Sequence, residues 1–323
     1  MSRHVSRRSV TAGLAGLVAW PGFSRAAWPE KPITIVHGFP GSNADVVARL
    51  LAEGLSRRLG VAFVVEPKPG AGGTIAATSV VRAAPDGHTL MILVAGQAVA
   101  AAVFKQLQFK PVDDFTPISM LTQYPFVIST WPDHPAKSGS QLIEMARKAP
   151  EPMLVASNGN GTGGHLTSEM LAAMAGFKIR HVPYRASGAA VTDLLGQRID
   201  FMADTPTVML PLVQDKQLRA LATTGAERFF ALPTVPTVAE LGIKGYQVDS
   251  WLGFAGPAGL PADITARLNS AVRETLLEPE IKDKLRALGS EVAPTTPEAF
   301  KARLVADIGM WTEVVRSANI PRI

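Results

Sequence analysis

The segment between Met153 and Leu171, MLVASNGNGTGGHLTSEML, most constrains what this chain can fold into. It begins with apolar residues that are typical of a short buried strand, continues with glycines interleaved with polar residues, and ends in a helical pattern. Glycines let the backbone approach a ligand closely. A helix start presents amides and a positive dipole end to an anion. The segment therefore predicts a strand–loop–helix unit with an anion site at its loop.

Units of the same kind recur along most of the chain. Strands are predicted at residues 32–37, 62–66, 89–94, 126–130, 179–183, 199–203 and 218–223. Most of them lead through a loop into a helix, an alternation that is typical of parallel sheets with helices on both faces. After Pro261 the pattern changes, and helices are predicted at residues 264–276, 278–288 and 297–317. The fold class is therefore α/β.

The first 26 residues have the form of an export signal. Three arginines precede a short apolar run, and Ser24-Arg25-Ala26 fits a cleavage site, so we predict cleavage near Ala26. The apolar run is too short to span a bilayer. Both Sec and twin-arginine export stay open, because Arg7-Arg8 fits the twin-arginine signal but Val10 stands where that signal usually has phenylalanine. We expect a protein that works outside the cytoplasm.

The composition excludes several classes of protein. The chain has 323 residues, 47% of them hydrophobic and 18% charged, which is typical of a globular protein that can form two domains. It has no cysteine, which excludes disulfides and thiolate catalysis. Its net charge is +5, but four arginines lie in residues 1–26, which leaves +1 for the rest. A nearly neutral chain lacks the basic surface expected for nucleic-acid binding.

Two enzyme motifs are present in incomplete form. Gly159, Gly161 and Gly164 satisfy the dinucleotide pattern G-x-G-x-x-G, but no acidic residue follows the next strand to hold a ribose. The pair His37-Gly38 is similar to an oxyanion-hole segment of α/β-hydrolases, yet no serine occupies the G-x-S-x-G elbow that those enzymes need. A secreted hydrolase remains the alternative hypothesis, although the sequence shows no nucleophile for it. We predict no catalytic residues.

Other side chains that often carry chemistry have structural explanations. His165 and Glu169 lie one helical turn apart, but no third metal ligand follows at a recognisable spacing, so we interpret them as a polar pair at a helix start. His181 on an apolar strand is interpreted as a core histidine. Trp251 either belongs to the core or lines a cleft. We predict no metal site and no cofactor.

Loops at the strand ends are the remaining candidates for function. In open α/β sheets, ligands bind beyond the carboxyl ends of the strands. Small and polar residues fill the loops at 38–45, 95–98, 157–165, 185–189 and 204–207. Several such loops without a catalytic set favour ligand binding over catalysis.

Ordered segments across the chain together resemble one known family. They are WPEKPITIV (28–36), ARLLAEGLSRRLG (48–60), VVEPKPGAGGTIAA (64–77), APDGHTL (84–90), FKPVDDFTPI (109–118), SNGNGTGGHL (157–166), HVPYRASGAAVTDLLGQRIDFM (181–202), LPTVPTVAELGIKGYQV (232–248) and WLGFAGPAGLP (251–261). They are similar to the Bug-type periplasmic solute-binding proteins of tripartite tricarboxylate transporters. The resemblance covers essentially the whole chain after the export signal.

The resemblance implies a two-lobed periplasmic-binding-protein fold of type II, with mixed sheets flanked by helices and a cleft between the lobes. With the export signal at 1–26, it implies lobe 1 at 27–125 and 251–323 and lobe 2 at 126–250. It also implies a monomeric periplasmic receptor that captures a small carboxylate without changing it. The ligand would be a di- or tricarboxylate, an acidic amino acid or an aromatic acid. The partners would be integral membrane transporter subunits or, alternatively, a signalling protein.

Carried onto this sequence, the family's ligand contacts fall on loops of both lobes. They are Phe39, Gly41, Ser42, Asn43, Ala95 and Gly96 in lobe 1, and Ser157, Gly161, Thr162, Gly163 and His165 in lobe 2, with Arg185 and Asp204 nearby. Arg185 either pairs with a second carboxylate or is a surface charge at the lobe rim. Replacing Asp204 with alanine is predicted to weaken binding without unfolding the protein.

Three departures from the family's usual pattern leave the ligand's identity open. Gly41-Ser42 stands where the family usually has two glycines, and Ala100-Ala101 stands where it often has Asn-Pro. The segment 186–189 differs as well. All three lie near the predicted pocket.

Overall fold

The computed structural model describes residues 28–317 and 320–322. The predicted export signal and its cleavage site therefore lie outside the described residues. The strands are β1 (Ile33–His37), β2 (Phe63–Pro67), β3 (Thr89–Val94), β4 (Phe115–Pro125), β5 (Val127–Thr130), β6 (Met153–Ser157), β7 (Ile179–Pro183), β8 (Phe201–Asp204), β9 (Arg219–Thr223), β10 (Asp249–Pro257) and β11 (Glu291–Val292).

The α-helices are α1 (Asn43–Leu59), α2 (Thr74–Val81), α3 (Gly96–Val103), α4 (Gly139–Lys148), α5 (Gly163–Ala175), α6 (Ser187–Leu195), α7 (Pro206–Gln214), α8 (Ala262–Leu276), α9 (Pro279–Ala287) and α10 (Pro297–Ser317). The three helices predicted after Pro261 are confirmed. Among the described helices, none combines the length and the apolar character needed to cross a bilayer.

The strands form two mixed sheets. The first has the order β11-β4-β10-β3-β1-β2, and the second has the order β7-β6-β8-β5-β9. We call the first sheet with α1–α3 and α8–α10 lobe 1, and the second sheet with α4–α7 lobe 2. In lobe 1, β1 pairs in parallel with β2 and β3, while β10 runs antiparallel to β3 and β4. In lobe 2, β6 is parallel to β7 and β8, and β5 is antiparallel to β8 and β9.

The prediction of parallel sheets from the repeated units is thus wrong for part of each sheet, whereas the mixed sheets that the family resemblance implies are confirmed. Strands β4 and β10 and helices α3 and α7 were not predicted. The pairing of β4 with β10 joins Gln123 to Trp251. These residues lie far apart in the sequence, so no local periodicity indicates their pairing. The expected loops at 95–98 and 204–207 are shorter than predicted, because α3 begins at Gly96 and α7 at Pro206.

Helices cover both faces of the lobe 1 sheet. Leu51 and Leu55 of α1 and Leu268 of α8 join one buried cluster on one face. On the other face, Trp251 is fully buried, packs edge-to-face on Phe300 of α10, and belongs to the core. Of the two alternatives left open for Trp251, the structure therefore supports the core and not the cleft lining.

The chain crosses between the two sheets twice, and a residue at each crossing hydrogen-bonds to Thr224. Phe126 separates β4 from β5, and Val248 precedes β10. The Phe126 N–H donates to Thr224 Oγ1 at 2.8 Å, and Thr224 Oγ1 donates to the Val248 carbonyl at 2.6 Å. This arrangement places the carboxyl ends of β1, β3, β6 and β8 around one interlobe space.

Candidate functional site

A cavity of about 50 Å³ lies between the lobes. Because one buried water needs ~10–15 Å³ by this measure, the cavity has room for about four waters or one small polar group. Residues of both lobes line it: Phe39, Ser42, Asn43, Ala44, Val94, Gly96, Tyr124, Phe126, Asn158, Thr162, Gly163, Gly164, Asp204, Thr205, Ser250 and Leu252. Lobe 1 contributes the ends of β1 and β3, and lobe 2 contributes the ends of β6 and β8.

Four helices begin at the wall of this cavity. The first residues of α1 and α3 come from lobe 1, and lobe 2 contributes the first residues of α5 and Thr205, which directly precedes α7. Helix starts carry free amides and a positive dipole end. Pro206 at the start of α7 has no N–H, so α7 contributes its dipole, whereas the other three helices also contribute amides. The combined potential favours an anion.

Glycines allow the start of α5 to pack closely against Phe126 and Ala203. A β-carbon on Gly163 would lie 2.5 Å from the Phe126 ring, and one on Gly164 would lie 2.5 Å from the Ala203 carbonyl oxygen. Both distances are too short for any side chain. The glycine run predicted from the sequence to allow close backbone approach therefore lets the α5 N-terminus reach the cavity.

Asp204 is the one ionisable carboxylate that the described residues contribute to the cavity wall. It is 4% exposed, and its Oδ1 accepts a 2.7 Å hydrogen bond from the Thr205 N–H. Its Oδ2 has no partner among the described residues. Burial raises the pKa of this carboxyl above its ordinary value. A ligand or a water that donates a hydrogen bond would satisfy Oδ2.

Asn43 connects the two lobes beside the cavity. Its Oδ1 accepts a 2.8 Å hydrogen bond from Thr207 Oγ1 of lobe 2. Its Nδ2 is buried and has no partner among the described residues. Asn43 thus offers an unused donor at the place where the lobes touch.

Tyr124 and Ser250 are cavity residues that sequence reasoning missed. They are opposite partners in the antiparallel pairing of β4 with β10. Burial raises the pKa of Tyr124, so its hydroxyl keeps its proton and can donate. Asn158 and Thr205, also missed, lie beside residues that were predicted, and the polar loop sequence is a signal that could have identified them.

A wider cleft of about 970 Å³ opens outward from the cavity. Phe39, Ser42 and Asn158 line both spaces, which makes the cavity the inner end of the cleft. Gly41 and the exposed Arg185 lie in this outer cleft. The Gly41 N–H already donates to Asp45 Oδ2 at 2.9 Å.

The structure thus divides the thirteen predicted site residues into three groups. Phe39, Ser42, Asn43, Gly96, Thr162, Gly163 and Asp204 line the cavity, and Gly41 and Arg185 line the outer cleft. Ala95, Ser157, Gly161 and His165 line neither space. The Ala95 N–H donates to the Trp251 carbonyl at 3.0 Å, which fixes the start of α3.

Residues of types that often carry out catalysis have structural roles in the described part of the chain. Ser157 Oγ lies 2.6 Å from His181 Nε2, but Ser157 is 1% exposed and does not line the cavity. His37 is fully buried, its Nδ1 accepts from the Phe39 N–H, and burial lowers its pKa. Within residues 28–317 and 320–322, no group of three or more His, Asp or Glu side chains could hold a metal ion.

Comparisons with known proteins identify similar sequences and similar folds. Residues 47–319 match the model of the tripartite tricarboxylate transporter family receptor. Protein BugT of Bordetella pertussis is 32% identical over 312 residues, which cover 96% of this chain and 94% of BugT. The R. palustris protein Rpa4515, solved with adipate, superposes with a TM-score of 0.87 at 32% identity and covers 92% of this chain and 100% of its own.

MatC from Rhodopseudomonas palustris, solved with bound malate, has a TM-score of 0.83 at 32% identity. That alignment covers 89% of this chain and 100% of MatC.

Proposed function

Because this chain belongs to the tripartite tricarboxylate transporter receptor family, we propose that it captures a small carboxylate in the cavity between its lobes. It has the fold of the periplasmic solute-binding proteins. Rpa4515 with adipate and MatC with malate support a carboxylate as the ligand class. Di- and tricarboxylates, acidic amino acids and aromatic acids all belong to this class.

The observation that carries the proposal is the convergence of helix N-termini from both lobes on one cavity at the inner end of the cleft. A carboxylate there accepts charge-assisted hydrogen bonds from amides of lobe 1 near Gly96 and of lobe 2 near Gly163. One ligand group then attracts both lobes at once. We assign the ligand contacts to the predicted residues that line the cavity, and Arg185 to the distal end of a longer ligand in the outer cleft.

The lobes close around the ligand by a hinge at Phe126 and Val248. We assign residues 27–125 and 251–323 to lobe 1 and residues 126–250 to lobe 2. The hydrogen bonds that join the two crossings through Thr224 support this division, because they concentrate the connection in a few residues. Closure buries the ligand and presents a changed surface to the transporter.

The receptor acts outside the cytoplasm and releases its ligand unchanged. The export signal predicted at residues 1–26 and the family match support export to the periplasm. The partners are the small carboxylate and integral membrane transporter subunits, and the receptor is a monomer that needs no cofactor and binds no nucleic acid.

A thermal-shift panel tests this function. The panel contains adipate, malate, acidic amino acids and aromatic acids, with NAD as the competing ligand class. At a ligand concentration of about 100 Kd, binding stabilises the protein by about 2.7 kcal/mol, which is an upward shift of several degrees. A shift with NAD and with none of the carboxylates would overturn the proposal.

A further inference from the structure

Two buried polar atoms of the cavity residues have no hydrogen-bond partner within the described part of the chain. They are Asn43 Nδ2 of lobe 1 and Asp204 Oδ2 of lobe 2. Asn43 is 1% exposed and Asp204 is 4% exposed, and both residues line the ligand cavity. Because an unpaired buried polar atom is destabilising, a ligand that pairs both atoms gains affinity from each of them.

Hydroxyls from two sides hold the amide of Asn43. Its Oδ1 accepts from Thr207 Oγ1 of lobe 2 at 2.8 Å and from Ser290 Oγ, between α9 and β11, at 3.3 Å. Both bonds use the amide oxygen, which leaves Nδ2 as a free donor. Asn43 therefore offers an N–H to a ligand group that can accept.

The carboxyl of Asp204 is fixed through only one of its oxygens. Its Oδ1 accepts from the Thr205 N–H at 2.7 Å, while Oδ2 stays without a partner among the described residues. Burial raises the pKa of this carboxyl, and the Ser187 side chain opposes that rise. An ionised Oδ2 accepts a hydrogen bond, whereas a protonated one carries a hydrogen that it can donate. A group that pairs Oδ2 in both forms has to be able to donate and to accept.

A hydroxyl matches both atoms. It carries one hydrogen for an ionised Asp204 and a lone pair that accepts from Asn43 Nδ2, and its second lone pair accepts from Asp204 when that carboxyl is protonated. An ammonium has no lone pair for the Asn43 N–H, and a carbonyl pairs Oδ2 only when Asp204 is protonated. A methylene group neither donates nor accepts, so it leaves both atoms unpaired.

The helix starts at the cavity place this hydroxyl close to the ligand carboxylate. The starts of α3 and α5 lie together, since a β-carbon on Gly96 would be 4.0 Å from the Gly163 nitrogen. The starts of α1 and α7 are joined by the bond between Asn43 and Thr207. The cavity that all four share has a volume of about 50 Å³, which is room for about four waters. A carboxylate at the first pair of helices and a hydroxyl at the second therefore fit on neighbouring carbon atoms of one ligand.

We propose that Asn43 and Asp204 form a hydroxyl subsite, and that the receptor prefers 2-hydroxycarboxylates to the unsubstituted and 2-amino acids of the same carbon skeleton. The inference rests on the proposed function, because the subsite adjoins the amides that we assign to the ligand carboxylate. It narrows the ligand class from small carboxylates to 2-hydroxy acids. Since the two residues belong to different lobes, the hydroxyl also connects the lobes in the bound form.

Calorimetric titration of the full chain with matched acids tests this. Each carbon skeleton is used in its unsubstituted, 2-hydroxy and 2-amino forms: succinate, malate and aspartate; adipate, 2-hydroxyadipate and 2-aminoadipate; phenylacetate, mandelate and phenylglycine. Enantiomers are titrated separately. In the skeleton that binds most tightly, one enantiomer of the 2-hydroxy acid should have a Kd at least about tenfold below those of the other two forms.

Three results of this series would overturn the inference. Equal Kd values for the hydroxy and unsubstituted acids would mean that a water fills the subsite equally well. Tighter binding of the 2-amino acid would mean that the subsite presents only acceptors. In both cases the proposed capture of a carboxylate would stand. Binding of none of the acids would overturn the proposed function together with this inference.

Two substitutions test whether the assigned residues bind the hydroxyl. Asp204→Ala and Asn43→Ala each remove one partner, so the ratio of the unsubstituted to the 2-hydroxy Kd should fall towards one in both variants. This ratio cancels a general loss of affinity, and urea unfolding verifies that each variant folds. Arg185→Gln is the matched control, because Arg185 lines the outer cleft and not the cavity, so it should keep the wild-type ratio. A wild-type ratio in Asp204→Ala or in Asn43→Ala would overturn the inference.

Discussion

Gly96→Ala should weaken ligand binding more than about 100-fold while leaving the fold intact. A β-carbon at Gly96 would meet Val94 Cγ2 at 3.4 Å and the Gly163 nitrogen at 4.0 Å, so the nearest contacts are ordinary in length. Gly96 is the first residue of α3, where alanine is the better helix former by about 0.5–1 kcal/mol. The substitution should therefore maintain or slightly raise stability.

The same methyl group stands between the two helix starts that we assign to the carboxylate. It fills the space of about one water in a cavity that has room for about four waters. Charge-assisted hydrogen bonds contribute about 1.5–3 kcal/mol each, so displacing the carboxylate from two amides costs about 3 kcal/mol or more. That free energy corresponds to more than a 100-fold rise in Kd.

Calorimetric titration measures the ligand affinity, and urea unfolding measures the free energy of unfolding. Gly309→Ala is the matched control, since Gly309 lies within α10 and a β-carbon there meets nothing within 4 Å. The control should gain similar stability and keep its affinity. Undiminished affinity in Gly96→Ala would refute the reasoning, because the ligand would then lie elsewhere.

Further substitutions test single contacts. Burial raises the pKa of Asp204 above its ordinary 3.8, so the folded protein holds a proton that the unfolded chain has lost, and the contribution of Asp204 to stability should fall as the pH rises above 3.8. Urea unfolding from acid to neutral pH should show that the wild type loses stability relative to Asp204→Asn as the pH rises, and parallel pH dependences in the two proteins would contradict this assignment. Thr207→Val removes the 2.8 Å bond to Asn43 between the lobes, so calorimetry should show about fivefold weaker binding; unchanged affinity would mean that this bond does not favour the bound form. Asp307→Ala leaves the buried Trp251 Nε1, which donates to Asp307 Oδ2 at 2.6 Å, without an acceptor. It should lower the free energy of unfolding by about 1–3 kcal/mol without affecting binding, and weaker binding instead would place Trp251 in the site.

The strand–loop–helix units could be predicted from sequence because their signals are local. Apolar runs such as Thr89–Val94 and the glycines that follow Ser157 lie within a few residues of the structure they specify. The antiparallel β4–β10 pair could not be predicted, because its register depends on contacts between distant parts of the chain. Tyr124 and Ser250 were missed for the same reason, since only that pairing brings them to the cavity.

The orientation of the lobe 2 loop is the other feature that sequence did not reveal. Glycines at alternate positions leave a loop without a hydrophobic period, so nothing in the sequence distinguishes residues that face the cavity from those that face away. Thr162 lines the cavity. Ser157 instead contacts His181, and His165 accepts a hydrogen bond from the Gly161 N–H. The residue types indicate an anion site, but they do not specify how the loop packs in the folded protein, and that packing determines which of them line the cavity.

Calorimetric titration with a matched acid and amide tests the central claim most directly. The wild-type protein is titrated with the carboxylate that gives the largest thermal shift and, separately, with the uncharged amide of the same carbon skeleton. Helix N-termini and backbone amides recognise the negative charge, so the acid should bind at least about 100-fold more tightly than the amide. Equal binding of acid and amide would contradict the account, because the cavity would then be recognising shape and not an anion.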